Sequence, residues 1–273
     1  MMPDIFQYSF IIRGMEAGMI VAFIAPLIGI FLVLRRYSLI ADTLSHVSLA
    51  GIAIGLFLGI NPVLTALVTT VLASLGIERL RDSKRVYGES ALALFLSGSL
   101  ALAIVLLSLA HGFNTNLFNY LFGSIVTVTR QDVYTIAVLA VIVVILLLAF
   151  YKELVYVTFD EEAAQVSGIP TRLINIILIV LAALTVSLAI PIVGVLLIAA
   201  LIVIPVVTAL QLRKSFMQTI LYAEAVSFFS VLSGIMVSFY LNLSTGGTIV
   251  LIMLAIFVSV LAGKSQRASK WFA

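Results

Sequence analysis

Runs of about 18 to 25 residues with almost no charge recur along this chain, at 13–34, 40–60, 61–78, 89–110, 131–150, 172–190, 193–210, 217–241 and 246–262. Each is long enough to cross roughly 30 Å of hydrocarbon at about 1.5 Å per residue. In lipid a backbone must satisfy its own N–H and C=O groups, which leaves helices as the solution for unbroken apolar runs. The expected architecture is therefore all-α: a polytopic transmembrane bundle of about nine helices in one domain, 1–273. Composition excludes a soluble enzyme, because 15 basic and 12 acidic side chains cannot coat a 273-residue globule, and mean hydropathy is +1.28. The first twelve residues lack a basic leader with a small-residue cleavage site, and a span follows at once. Two boundaries depend on turn chemistry: 40–60 is divided from 61–78 at Gly59-Ile60-Asn61-Pro62, and 172–190 from 193–210 at Pro191 and Gly194. Read without one of those breaks, or with one more, the pattern admits eight to ten helices.

Placement of the basic residues orients the bundle. Arg35 and Arg36, then Arg79, Arg81, Lys84 and Arg85, then Lys152 and Arg172, Arg213 and Lys214, and finally Lys264, Arg267 and Lys270 fall on alternate connections, 13 of the 15 Lys and Arg. The positive-inside rule puts those connections in the cytoplasm. Nine spans then leave the N-terminus outside and the C-terminus inside, with Arg13 and Arg130 near the outer face; eight spans would break the alternation. Residues 112–130, with Asn119-Tyr120-Leu121-Phe122-Gly123-Ser124, form the longest outer segment and are expected to hold a short interfacial or re-entrant helix. Ser97-Gly98-Ser99 and the row Gly51, Gly55 and Gly59 read as helix-packing contacts. No internal repeat is visible, which argues against a secondary transporter of two similar halves.

Ionisable side chains inside a bilayer are costly, and few occur here: Glu16, Asp42, His46, Glu224, and Glu89 at a helix start. Asp42 and His46 lie four residues apart in one expected helix and share a face. His46 follows Arg36 by ten residues, roughly 15 Å along the axis and near mid-membrane. With no Cys in the chain, a carboxylate and an imidazole are the normal donors for a divalent first-row metal. Two donors do not complete a site, but a symmetric homodimer with this helix on its axis would supply two Asp and two His. The bland alternative is a hydrogen-bonded pair that locks helices together. Glu16 suits the outer interface better than a ligand role. Glu224 suits a helix-packing hydrogen bond as well as a functional one. His111, at an outer edge, fits a solvated residue better than one that passes metal inward.

One inward connection is acidic: Phe159-Asp160-Glu161-Glu162-Ala163-Ala164-Gln165-Val166-Ser167-Gly168-Ile169-Pro170, within about 158–171. Glu and Ala favour a short helix that Asp160 can cap and that Gly168 and Pro170 stop. A short helix lying along the membrane can dock a cytosolic partner; the alternative is a solvated acidic loop.

Taken together, these segments resemble the membrane subunits of zinc and manganese uptake ABC transporters, the ABC-3 metal permease family. Residues 26–36, Pro-Leu-Ile-Gly-Ile-Phe-Leu-Val-Leu-Arg-Arg, lead into Asp42-Thr43-Leu44-Ser45-His46, similar to the family's Asp-x-x-x-His signature. Tyr120-Leu121-Phe122-Gly123-Ser124 resembles its outer Leu-Phe-Gly segment, and Asp160 to Pro170 its docking loop. Val193-Gly194-Val195-Leu196-Leu197 with Ile204-Pro205 and Thr208-Ala209 is similar to one later block, and Gly246-Gly247-Thr248-Ile249-Val250-Leu251 to the last. The order runs from about 26 to 251, nearly the whole chain. Two departures are Ala41 where Gly is usual and Ser244-Thr245-Gly246-Gly247-Thr248 where Pro-Ser-Gly-Ala-Thr is frequent. The wording after Asp42 is closer to zinc permeases than to manganese ones.

The resemblance implies a permease of the bacterial inner or plasma membrane that imports a divalent transition metal, most like zinc, with manganese or iron as alternatives. Asp42 and His46 would be the metal ligands, and Asp160, Glu161, Glu162, Ala163, Ala164, Gly168 and Pro170 the ATPase-docking residues. Partners would be a cytosolic ATP-binding subunit, an extracytoplasmic metal-binding protein and a second copy of the chain. No permanent cofactor is expected, Zn2+ or Mn2+ being cargo. The chain has no Gly-x-x-x-x-Gly-Lys-Ser/Thr loop, so it is not itself the ATPase. Metal binding would compete with protonation of His46. The remaining readings are a siderophore or cobalamin ABC permease, a proton-coupled carrier using the pair as a relay, and a scaffold without transport. The basic residues track topology and give no nucleic-acid patch.

Overall fold

Twelve helices follow one another in a computed structural model that describes residues 7–83, 86–109 and 115–269. They are α1 (Ser9–Leu34), α2 (Ser38–Leu58), α3 (Pro62–Asp82), α4 (Gly88–Leu109), α5 (Thr115–Phe122), α6 (Arg130–Ala149), α7 (Tyr151–Phe159), α8 (Glu161–Val166), α9 (Thr171–Val193), α10 (Ile198–Leu210), α11 (Phe216–Leu241) and α12 (Thr245–Ser269). A 3-10 turn, Ile125–Thr127, lies between α5 and α6. Eight of the twelve, α1 to α4, α6, α9, α11 and α12, are long and apolar enough to cross a membrane by themselves.

The ninth crossing is α10, and it is short. Its 13 residues cover about 20 Å, and the irregular segment 194–197 makes up the remainder. Contacts at the two ends of the bundle fix its direction. At one end Phe216, which opens α11, meets Phe31 near the end of α1 and Phe159 at the end of α7. At the other end Phe239, near the end of α11, meets Tyr8 beside the start of α1. The chain must therefore descend through α10 before α11 ascends, which preserves the alternation expected of nine spans. Arg35, Arg81 and Arg172 gather at the first end, with Glu161, Glu78 and Asp82. Arg13 and Arg130 lie at the second, on the Val128 carbonyl and on Glu16.

Turn chemistry explains the breaks. Gly59 closes α2 in the left-handed region at φ 68°, and the Asn61 side chain accepts from the amides of Val63 and Leu64 to start α3, with Pro62 at its first position. Thr129 and Asp132 form a reciprocal capping box at α6. Gly51 and Gly55 do pack a helix pair, since a methyl group on either would collide with Ala66 or Pro62 of α3. The packing expectation fails for the other two. Gly59 is a cap with open space around it, and a methyl group on Gly98 would meet nothing within 4 Å among the described residues.

Burial sorts the helices by role. Of the most apolar window of each helix, 78% is buried in α9, 72% in α2 and 67% in α1, against 17% in α4 and 28% in α3, α6 and α12. α9, α2 and α1 thus form the protein-packed centre, while the outer helices present Leu, Val and Ile to lipid. Hydroxyls inside the centre return to their own helix: Ser45 donates to the Ala41 carbonyl, Thr185 to Leu181 and Ser187 to Ala183.

Candidate metal site, docking helix and outer junction

α2 carries Asp42 and His46 one turn apart, as the spacing requires. His46 Nε2 stands 3.9 Å from Asp42 Oδ1, too far for a hydrogen bond. Neither side chain hydrogen-bonds to another helix among the described residues, and His46 Nδ1 is buried without a partner. A pair that locks two helices together would show such a bond, so the bland alternative finds no support in the contacts. Two ligands of a tetrahedral ion at about 2.0–2.1 Å sit roughly 3.3 Å apart. The observed separation of Asp42 and His46 is about 0.6 Å beyond that spacing.

The pair opens outward. Side-chain exposure is 45% for Asp42 and 19% for His46 within a helix whose other faces are packed, and Leu39, one turn earlier on the same side, is exposed. Among the described residues no third His, Asp or Glu approaches closely enough to share a cation. One copy of the chain therefore offers two such donors at this place. His46 lies about 12 Å along an α2 of about 31 Å, somewhat nearer the basic end than mid-membrane.

At the basic end, Asp160 caps α8 by accepting from the Ala163 amide at 2.8 Å. The helix stops in a paired motif: Ile169 N–H donates to the Ala164 carbonyl and Gly168 N–H to Gln165, with Gly168 at φ 83°. Ala164 is buried and Ala163 half-buried, which anchors the helix, whereas Glu162, Gln165 and Val166 project outward. Val166 is 90% exposed, an unusual position for a large aliphatic side chain.

The outer segment contains the expected short helix, α5, and does something further. The carbonyls of Tyr120 and Leu121 accept from the amides of Val195 and Leu196, and Ser124 N–H donates to the Pro191 carbonyl. The irregular backbone between α9 and α10 is thereby satisfied by protein, as non-helical backbone at membrane depth must be. Gly123, Gly194 and Gly246 bring three chain segments into direct backbone contact. A methyl group on Gly123 would meet Ile192 and Val193, on Gly194 Gly123 and Leu121, and on Gly246 Val193 and Phe122. Beside this junction lies a cavity of about 400 Å³ lined by polar groups that include Asn61, Tyr120, Gln131, Asp132 and Ser187. Burial, and after it the Asp132 carboxylate, pushes the Tyr120 phenol above its usual range, so it remains a neutral hydroxyl.

The other candidates separate. Glu16 is exposed at the outer rim, 3.4 Å from Arg130. Glu89 is exposed in the first turn of α4, where a carboxylate faces the positive helix end. His111 lies outside the described residues. Among the described residues Glu224 makes no helix-packing hydrogen bond: both carboxyl oxygens are buried without partners there, as are the hydroxyls of Ser227 and Ser230. None of these joins Asp42 and His46. Two residues given no site role, Arg35 and Asn175, contact α8 directly through Glu161. Asn175 carried a signal, being an amide in the otherwise apolar run of α9.

Residues 7–264 match the model of the family described as "ABC 3 transport family". A probable metal transport system membrane protein of Treponema pallidum is 36% identical over 94% of this chain and 96% of its own length. The manganese transport system membrane protein MntC of Listeria monocytogenes is 31% identical over 94% of this chain and 91% of its own. The high-affinity zinc uptake system membrane protein ZnuB of Haemophilus influenzae is 29% identical over 92% and 97%, and a further relative from that organism is named for iron transport. Among solved structures, PsaBC from Streptococcus pneumoniae in complex with Fab superimposes with a TM-score of 0.84 at 28% identity, covering 94% of this chain and 92% of that one.

Proposed function

This chain belongs to the ABC 3 transport family and is a metal permease of the bacterial plasma membrane, and from that premise we propose that it imports a divalent transition metal between two copies of itself. Asp42 and His46 of each copy are the transient ligands. The observation that carries this reading is the pair itself: a carboxylate and an imidazole on one face of α2, bonded to nothing else among the described residues and partly open to the outside of the bundle. A second copy, related by a twofold axis along this face, brings the donors to two oxygens and two nitrogens. That set suits a tetrahedral cation. Zinc is one cargo that fits; manganese and iron stand equally, since relatives carry all three names and the same donors serve each.

The energy source lies on another polypeptide. No phosphate-cradling loop is present, and the protruding α8, with Val166 and Glu162 outward, suits an ATPase subunit docked from the cytoplasm. Closure of two such subunits would move α8 and switch access to the pathway between the two faces. An extracytoplasmic binding protein would deliver metal to the outer segments around Gly123 and Gly246. Binding at Asp42 and His46 must be loose enough to let the ion leave.

Asp42→Ala and His46→Ala, each in the complex with its ATPase, provide the test. Assembly should be unchanged and metal uptake lost. Uptake at the parental rate in either variant removes that residue from the pathway.

A further inference from the structure

Arg35 stands at the joint between the docking helix and the helix that bears Asp42 and His46. Its side chain is only 5% exposed, and each end of the guanidinium has a partner on a different element. One nitrogen donates to Glu161 Oε2 at 2.6 Å, on the first residue of α8; the other donates to Asn175 Oδ1 at 2.5 Å, in α9. Asn175 Nδ2 in turn donates to Glu161 Oε1 at 2.8 Å, which closes the three side chains into a ring. The guanidinium also lies 4.8 Å from the centre of the Tyr37 ring, and Arg81, 4.1 Å from the same ring, is paired with Glu78 at 2.9 Å.

The backbone beneath Arg35 is stiff. α1 ends with Tyr37 N–H donating to the Leu32 carbonyl and Arg36 N–H to Val33, the paired helix-ending motif, with Arg36 at φ 59° where glycine is usual. Tyr37 then opens α2 with no loop between. A displacement of Glu161 therefore acts on a rigid corner, and Asp42 lies five residues beyond Tyr37 on the same rod.

We infer that Arg35 is the positioning residue that couples the docking helix to the metal-ligand helix: through Glu161 and Asn175 it sets where α2, and with it the Asp42–His46 pair, stands in each state of the pump. The inference rests on the docking role proposed for α8. It assigns to Glu161 a function distinct from Glu162 and Val166. Those face the partner, whereas Glu161 faces back into the permease.

The test uses the full chain purified with its ATPase in lipid vesicles. Glu161→Gln keeps the shape and the bond to Asn175 but removes the charge, and at 44% exposure the change leaves folding intact. Metal moved per ATP hydrolysed should fall roughly tenfold, the scale of an ordinary coupling between sites, with the ATPase still bound. Glu161→Arg should uncouple more severely, and the exchanged pair Arg35→Glu with Glu161→Arg should recover a measurable part of the ratio. Because the chain contains no Cys, Leu39→Cys gives a single reporter one turn before Asp42. Its labelling by a water-soluble maleimide should change on ATP binding in the parent and not in Glu161→Gln. An unaltered transport ratio, or an ATP-dependent labelling change that survives Glu161→Gln, overturns the inference. Failure of the docking reading would look different, with the ATPase co-purifying undiminished with Val166→Asp.

Discussion

Replacing Gly194 by Ala probes the outer junction at the point where the chain has least room. Gly194 sits at φ 81°, ψ 155°, a backbone region open in practice to glycine alone, and forcing Ala there costs about 1–3 kcal/mol. The added methyl group would also collide with Gly123 N and the Leu121 carbonyl, both backbone atoms that cannot rotate aside. Overpacking of this kind adds about 1–3 kcal/mol. Together the two come to roughly 2–6 kcal/mol, before counting the strain on the bonds from Val195 and Leu196 to Tyr120 and Leu121. At about 2–4 °C per kcal/mol for a chain of this length, the melting temperature should drop by at least about 4 °C. The assay is thermal unfolding of the detergent-purified chain, with Gly98→Ala as the control. Gly98 is helical and an added methyl group there would meet nothing within 4 Å, so Ala should be neutral or stabilising by up to about 1 kcal/mol. If Gly194→Ala melts with Gly98→Ala, the three-glycine contact does not hold the outer end together and the reasoning fails.

Gly168→Val places a β-branched side chain at φ 83°, strained by about 1–2 kcal/mol, and should unwind the end of α8 without disturbing the bundle. ATP hydrolysis should continue while metal transport falls; normal coupling measured in vesicles would contradict a docking role for this loop. Glu224→Met removes two buried oxygens that have no partners and keeps the side-chain length. Since a buried unsatisfied polar group costs about 1–3 kcal/mol, the variant should melt higher and transport metal normally. A lower melting temperature or lost transport would show that Glu224 has a partner or a task.

Much of the fold is written locally. A membrane forces helices from apolar runs, and Gly59 with Asn61-Pro62, then Gly194, mark the two divisions where the runs alone are ambiguous. Asp160 and Gly168 announce both ends of α8, because capping depends on residues three or four positions apart. The i, i+4 spacing likewise places Asp42 beside His46. Long-range partners are not legible in this way. Arg35 meets Glu161 and Asn175 across 126 and 140 positions, and in the sequence it serves only as a marker of the cytoplasmic side. Small residues mislead for the same reason: Gly51 and Gly98 look alike until α3 is found against one and open space against the other. Glu224 invites a hydrogen bond that only the neighbouring helices could supply, and they do not.

In the transport cycle proposed above, two copies of α2 share one ion. Metal content of the purified permease–ATPase complex, measured by elemental mass spectrometry against protein concentration with zinc and manganese supplied in turn, tests it directly. One ion is expected for every two copies of the chain, lost on replacing either Asp42 or His46 by Ala. One ion per copy, or an ion retained in His46→Ala, would contradict it.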